Sequence, residues 1–120
     1  MMKDFDQHIQ QKHLSNEKAV SAARNQIPDP NILNYIAQFF GLLSDPTRLR
    51  IVIALKITEL CVHEISETID LSISAVSHQL RLLKTAKMVK SRREGKMVYY
   101  SLDDEHIEQL ISVVENHVRE

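Results

Sequence analysis

Two pairs of side chains near the carboxy terminus carry the donor types that a divalent metal requires. Asp104-x-His106 is followed, after ten residues, by His117-x-x-Glu120. On a helix, His106 and His117 fall almost three turns apart on one face, about 16 Å along the axis at ~1.5 Å per residue. One ion with bonds of about 2 Å cannot bridge that span within a chain. Two such helices packed antiparallel bring Asp104 and His106 to the partner's His117 and the partner's Glu120, and a two-fold axis makes two such sites. Two imidazoles and two carboxylates suit four-coordinate Zn(II) or Co(II), and suit thiophilic ions poorly. Plainer roles stay open: Asp104 at the positive end of a helix, Glu120 as a fraying terminus, the histidines as interface side chains.

A second constellation suits a polyanion. Between His78 and Met97 lie Arg81, Lys84, Lys87, Lys90, Arg92, Arg93 and Lys96 against one acid, Glu94, in a chain of net charge −1. Beside them, Ser74, Ser77, His78 and Gln79 are small or polar groups able to reach base edges in a major groove. Gln79 offers the paired donor and acceptor that adenine matches; Arg81 suits a phosphate or a guanine, and Lys84 a phosphate. Arg92, Arg93 and Lys96 sit in what reads as a hairpin, placed to grip a neighbouring backbone or minor groove. Isolated charges are ordinarily a solvated face. Here cap, turn, polar face and basic hairpin come in order, and that order points to DNA.

Positioning these groups takes a mainly α fold with a small β-hairpin. Residues 1–16 are polar and aperiodic and read as a flexible N-terminal arm, and residues 17–120 as one domain. A short helix from Glu17 to Gln26 ends at Pro28 and Pro30. Ile32, Ile36, Phe39, Phe40 and Leu43 keep the period of a helix with one buried face. Asp45 caps the next helix with Pro46 in its first turn, and Leu49, Val52, Ile53 and Leu55 mark its core side. A helix-turn-helix is expected over about 62–86, its halves joined by Asp70-Leu71-Ser72 without the usual turn glycine. Ile73, Val76, Leu80 and Leu83 form the apolar stripe of its second helix. Strands at Met88–Arg92 and Met97–Leu102, joined by Arg93-Glu94-Gly95-Lys96, make a wing over about 88–102. The helix expected to carry dimer and metal contacts spans about 103–118, with Ile107, Leu110, Ile111 and Val114 apolar.

Bulk properties set limits. A chain of 120 residues, 43% of them hydrophobic, suffices for one core. A single cysteine, Cys61, rules out an intramolecular disulfide and fits a reducing cytoplasm. No apolar run approaches the roughly 18 residues of a membrane span, and no signal-peptide core stands at the amino terminus. A cytoplasmic protein with no membrane partner is expected.

Four stretches resemble one known family. Leu43-Ser44-Asp45-Pro46-Thr47-Arg48-Leu49-Arg50-Ile51 is similar to the L-x-D-P-x-R-L-x-I/L element of the ArsR/SmtB metalloregulators. Glu59-Leu60-Cys61-Val62 resembles their metal-box region, Ser74-Ala75-Val76-Ser77-His78-Gln79-Leu80-Arg81 their recognition helix, and Gly95-Lys96-Met97-Val98-Tyr99-Tyr100 their wing. The resemblance runs in family order over residues 32–120. It implies a homodimeric winged helix-turn-helix repressor that occupies operator double-stranded DNA when metal-free and is released by Zn(II) or a similar divalent ion. Asp104, His106, His117 and Glu120 all match the zinc site on the carboxy-terminal helix of SmtB-like members.

The family's thiolate-rich sensors show Cys-Val-Cys where this chain has Cys61-Val62-His63. An arsenite site needs three thiolates, more than one subunit holds. Cys61 with His63 or Glu64, completed by His8 or His13 from an arm, is a second metal-site candidate. The plainer reading of Cys61 is a small buried hydrophobe. Other functions fit parts of the sequence: a redox-responsive DNA-binding regulator of the same fold using Cys61, or an architectural DNA-binding protein. A zinc hydrolase needs an open metal position and a general base, which a four-ligand interface site does not offer.

Overall fold

The computed structural model describes residues 15–120, so His8, His13 and nearly all of the expected arm lie outside the described residues. The chain divides into two units, residues 1–37 and 38–120. In the first, helix α1 (Asn16–Gln26) has no buried residue. Helix α2 (Pro30–Leu43) begins there and runs into the second unit. The Asp29 carboxylate accepts from the N–H groups of Asn31 (2.9 Å) and Ile32 (3.1 Å) at its start. Among the described residues the expected buried face of α2 is left open: Ile32, Ile36 and Phe40 are 42–55% exposed. Phe39, Leu42 and Leu43 are half-buried against the core of the second unit.

That second unit repeats the Asp-Pro start. Asp45 caps α3 (Pro46–Ile57), its carboxylate accepting from the Arg48 N–H at 3.0 Å, with Pro46 in the first turn. Then follow β1 (Leu60–Cys61), α4 (Val62–Ile69), α5 (Ile73–Thr85), β2 (Val89–Glu94), β3 (Met97–Leu102) and α6 (Glu105–Arg119). Ile51, Val52 and Leu55 of α3 meet Ile65 and Ile69 of α4, Val76, Leu80 and Leu83 of α5, and Ile107 and Ile111 of α6 in one core. Three further residues expected inside are exposed: Ile53 (36%), Ile73 (42%) and Val114 (50%). Ile53 lies on the face of α3 opposite the buried Ile51, Val52 and Leu55, Ile73 at the margin of the stripe of α5, and Val114 one turn beyond the last buried residue of α6.

The turn between α4 and α5 manages without glycine. Asp70 takes the left-handed conformation (φ 56°), which Asp tolerates better than most side chains, and the Leu71 N–H returns to the Ser66 carbonyl at 3.2 Å. Ser72 then caps α5, its hydroxyl accepting from the Ala75 N–H at 3.1 Å. At the far end of α5, the Lys87 N–H bonds the Lys84 carbonyl (3.0 Å) and the Met88 N–H that of Leu83 (2.9 Å). With Met88 and Leu83 both fully buried, this is a Schellman ending that turns the chain into β2. Lys87, at φ 61°, stands where glycine is usual.

The sheet has three antiparallel strands in the order β1-β3-β2, where the sequence suggested a two-stranded hairpin. Leu60 pairs with Tyr100 and Cys61 with Tyr99, a strand too short to leave a periodic signal. The wing turn is also tighter than expected. Glu94 pairs with Met97, so Arg93 and Glu94 belong to β2 and only Gly95-Lys96 make the turn. Gly95 at φ 62°, followed by a residue of negative φ, is the type II′ arrangement that matches strand twist. The Asp103 N–H bonds the Met88 carbonyl at 2.9 Å and closes the base of the wing. Among the described residues no helix is long and apolar enough to cross a membrane.

A left-handed conformation costs a β-carbon-bearing residue about 1–2 kcal/mol relative to glycine. Lys87→Gly is therefore expected to stabilise the protein by roughly 0.5–1 kcal/mol despite glycine's greater freedom when unfolded. Urea denaturation checks this; an unchanged or lower midpoint would contradict the strain assigned to Lys87.

Candidate nucleic-acid interface and metal-ligand positions

Burial of Val76, Leu80 and Leu83 fixes the roll of α5 and so decides which side chains it offers. Ser74, His78 and Arg81 stand opposite that stripe and are exposed; Ser77 and Lys84 flank them on one side. Gln79 lies on the other flank, half-buried and facing α3. Its Oε1 accepts from Arg48 Nη1 at 3.2 Å, and Arg48 Nε donates to the Leu42 carbonyl at 2.8 Å. The oxygen that a paired adenine contact would use thus already accepts one bond from Arg48 and keeps a second lone pair. Lys84 reaches from α5 to the wing, its Nζ donating to Ser91 Oγ at 2.7 Å.

That bond identifies the side of the wing next to α5. Alternate residues of a strand share a face, so Arg93 stands on the same side as Ser91 and Val89, while Arg92 points to the other. On that outer face Arg92 is held by two carboxylates. It donates through Nε to Glu59 Oε2 (3.0 Å), through Nη2 to Glu59 Oε1, and through Nη1 to Glu94 Oε2 (2.8 Å). Its guanidinium carbon also stands 4.9 Å from the Tyr99 ring centroid. Hydrogen bonding by Arg92 holds the Glu59 carboxyl below its ordinary pKa, and the two carboxylates raise that of Arg92. Arg92, grouped in the sequence with the DNA-gripping cations, is thus held by two carboxylates here. Arg93 and the turn residue Lys96 are exposed, and neither bonds a carboxylate among the described residues.

The candidate metal ligands lie at the two ends of α6. Asp104 is the N-cap, its Oδ1 accepting from the N–H groups of His106 (2.9 Å) and Ile107 (3.3 Å). His106 Nδ1 is 3.6 Å from the same Oδ1, and His117 Nδ1 is 3.9 Å from Glu120 Oε2. Each end thus assembles one imidazole and one carboxylate, half of a four-ligand set. Among the described residues, no three His, Cys, Asp or Glu side chains gather around one point. The donor chemistry fits a divalent ion; completing it takes a second chain.

The region around Cys61 is organised differently. Cys61 is 5% exposed and stands at the N-cap of α4, where its N–H donates to Glu64 Oε1 at 2.9 Å. This bond holds the Glu64 carboxyl below its ordinary pKa. His63 points to solvent. A capping pair is what the structure assembles from Cys61 and Glu64, with His8 and His13 outside the described residues.

Known proteins resemble this chain. The model of the bacterial regulatory protein arsR family matches residues 45–91, from the Asp45 cap into β2. A transcriptional repressor SmtB homolog of Synechocystis sp. is 48% identical over 85 residues, which is 71% of this chain and 64% of that protein. A cadmium resistance transcriptional regulatory protein CadC homolog of Staphylococcus aureus is 42% identical over 106 residues, 88% of this chain and 87% of that protein. The solved homodimeric winged helix-turn-helix DNA-binding domain of a possible ArsR-family regulator from Mycobacterium bovis matches with a TM-score of 0.70 at 25% identity, covering 90% of each chain.

The two wing arginines should separate in a salt titration of duplex-DNA binding. Arg93→Ala is expected to lower the slope of log affinity against log salt by about 1, and Arg92→Ala to leave it unchanged. Equal changes in the two variants would refute the opposite faces assigned here. A carboxyl titration followed by NMR makes a second check. Glu59 and Glu64 should both titrate below the ordinary glutamate midpoint, and Arg92→Ala should return Glu59 to it while leaving Glu64 low. A depressed carboxyl contributes stability fully above its unfolded pKa and loses it as pH falls through the folded value. Both contributions should therefore persist at neutral pH and vanish on acidification.

Proposed function

Because the chain belongs to the arsR family of bacterial regulatory proteins, we propose that it is a metal-sensing transcriptional repressor that binds operator DNA as a homodimer when metal-free and releases it on binding Zn(II) or a similar divalent ion. It is a regulator, not an enzyme. The observation that carries the reading is the composition of one face of α6. His106, Leu110, Val113 and His117 recur at i, i+4, i+7 and i+11, with Val114 and Val118 beside them. Val113, Val114 and Val118 are 39–76% exposed, an apolar stripe with a histidine near each end. A second copy of α6, laid antiparallel, covers the valines and brings the amino-terminal imidazole and carboxylate of one chain to the carboxy-terminal pair of the other. The uncovered stripe of α2 is a further surface suited to a second copy.

In this reading the two recognition helices of the dimer enter successive major grooves about one helical turn apart. Ser74, Ser77, His78 and Arg81 face the base edges, while Lys84, Arg93 and Lys96 neutralise phosphates. Bound at the helix ends, Zn(II) supplies a charged cross-link between the two α6 helices. His106 and His117 ligate only as neutral imidazoles, so the response weakens on acidification. Asp104 keeps its cap through Oδ1 and has Oδ2 for a cation. Coupling is mutual: whatever factor separates the DNA affinities of the metal-free and loaded dimers also separates the metal affinities of free and DNA-bound protein.

Metal titration of the purified protein tests this. One zinc per subunit is expected in the wild type and none at comparable affinity in His117→Ala. Fluorescence anisotropy on a duplex obtained by in vitro selection should show zinc weakening the wild-type complex about 5- to 150-fold, and leaving that of His117→Ala unchanged. Equal affinity with and without zinc in the wild type would sink the metal switch.

A further inference from the structure

We propose that one phosphate of the DNA backbone is seated between α5 and the wing, held jointly by Lys84 and Ser91, so that Ser91 is a DNA-contacting residue. The inference rests on the DNA-binding reading above and deepens it. Lys84 acts there as a lone cation; the structure makes it half of a clamp drawn from two elements.

Chemistry fixes the direction of the bond between the two side chains. An ammonium group has three N–H donors and no acceptor, so Lys84 Nζ donates and Ser91 Oγ accepts, at 2.7 Å. Ser91 therefore keeps its own O–H, and Lys84 keeps two N–H groups. Among the described residues Lys84 forms no ion pair and the Ser91 hydroxyl donates to no oxygen. The end of the Lys84 stem, flexible by itself, is steadied by a hydroxyl on a strand paired at Tyr100. Three donors and one positive charge thus stand side by side with no acceptor among them. A phosphodiester offers one negative charge over two outer oxygens, one for the hydroxyl and one for the ammonium.

Placement favours a backbone phosphate over any other anion. Lys84 lies three residues beyond Arg81, on the same side of α5. Ser91 shares the near face of β2 with Arg93, about 7 Å further toward the tip. Arg81, Lys84, Ser91 and Arg93 form one row from the exposed face of the recognition helix to the tip of the wing. Among the described residues no carboxylate pairs with any of the three cations. A DNA strand bordering the groove that α5 enters would cross this row. Phosphate contacts set register and orientation rather than sequence. One phosphate gripped from both elements fixes helix and wing against the same point of the duplex.

Replacing single phosphates of an in-vitro-selected duplex by uncharged methylphosphonates tests the clamp, with affinity read by fluorescence anisotropy. On the unmodified duplex, Ser91→Ala should weaken binding on the order of tenfold and keep the salt slope, because a hydroxyl displaces no counterion. Lys84→Ala should lower that slope by about 1 per protomer. Ser91→Thr retains the hydroxyl and should bind like the wild type. Losses from the two alanine variants should be non-additive, Ser91→Ala costing little once Lys84 is gone. Neutralising one phosphate of each half-site should weaken the wild type, and at that position alone the penalty of either variant should largely disappear. A merely structural Ser91 would weaken binding by the same factor at every methylphosphonate position and would add to the loss in Lys84→Ala; either result overturns the proposal. So does a Ser91→Ala protein that binds as tightly as the wild type. A wild type that binds no duplex overturns the proposal together with the reading beneath it, and is recognised before any variant is compared. Thermal denaturation of each variant confirms that the comparison is between folded proteins.

Discussion

Burial of Val76, Leu80 and Leu83 against α3, α4 and the start of the wing is the contact on which the presentation of this surface depends. A helix has one rotational setting, and three apolar side chains held at 0–1% exposure decide it. Once they are inside, Ser74, His78 and Arg81 must face outward, Lys84 must lie toward the wing and Gln79 toward Arg48. Removing a side chain such as Leu80 would cost about 2–5 kcal/mol, a large share of a small domain's stability. The same burial aligns the end of α5 with β2. Leu83 and Met88 are partners in the helix ending as well as members of the core, so recognition helix and wing are fixed by one apolar cluster.

Electrostatics then sorts what packing has placed. Positive charge collects on α5 and on the near side of the wing; the outer side of the wing holds a cation between two carboxylates. Such an exposed cluster contributes little stability. Its effect is on orientation: Glu59 precedes β1, Arg92 lies in β2, and the bond between them spans the sheet over β3. The wing is thereby tied to the strand that leads into the helix-turn-helix.

Local chemistry was legible in the sequence wherever cause and effect lie within a few residues. Asp45-Pro46 and Ser72 announce their helices because a cap acts over three positions. The recognition helix and the two hairpin strands were placed by period, with β2 extended by two residues. Long-range pairings were not legible. The partner of Arg92 lies thirty-three positions upstream and that of Gln79 thirty-one, so neither local charge nor residue type foretold their engagement. Strand β1 is too short to show a period. The stripe of α2 was visible as a stripe, yet periodicity records that a face is apolar and is silent about which chain covers it. The four residues at the ends of α6 stand out as candidate ligands by type and spacing; the fold adds that each pair sits close, and that the pairs are separated by the length of a helix.

The two-residue turn of the wing makes its charge presentation a matter of parity. Along β2 the near and outer faces alternate strictly, and the register against β3 is pinned at Glu94 and Met97. Substitutions at Gly95 or Lys96 that preserve the turn leave every side chain where it was. A single residue inserted in β2 between Ser91 and Arg92 has a different effect: it exchanges the faces of Arg92 and Arg93, sending the carboxylate-bound cation toward α5 and the free one away. In this lineage of sequences, the wing should therefore tolerate changes of identity at its tip far better than odd-numbered changes of length in its strand.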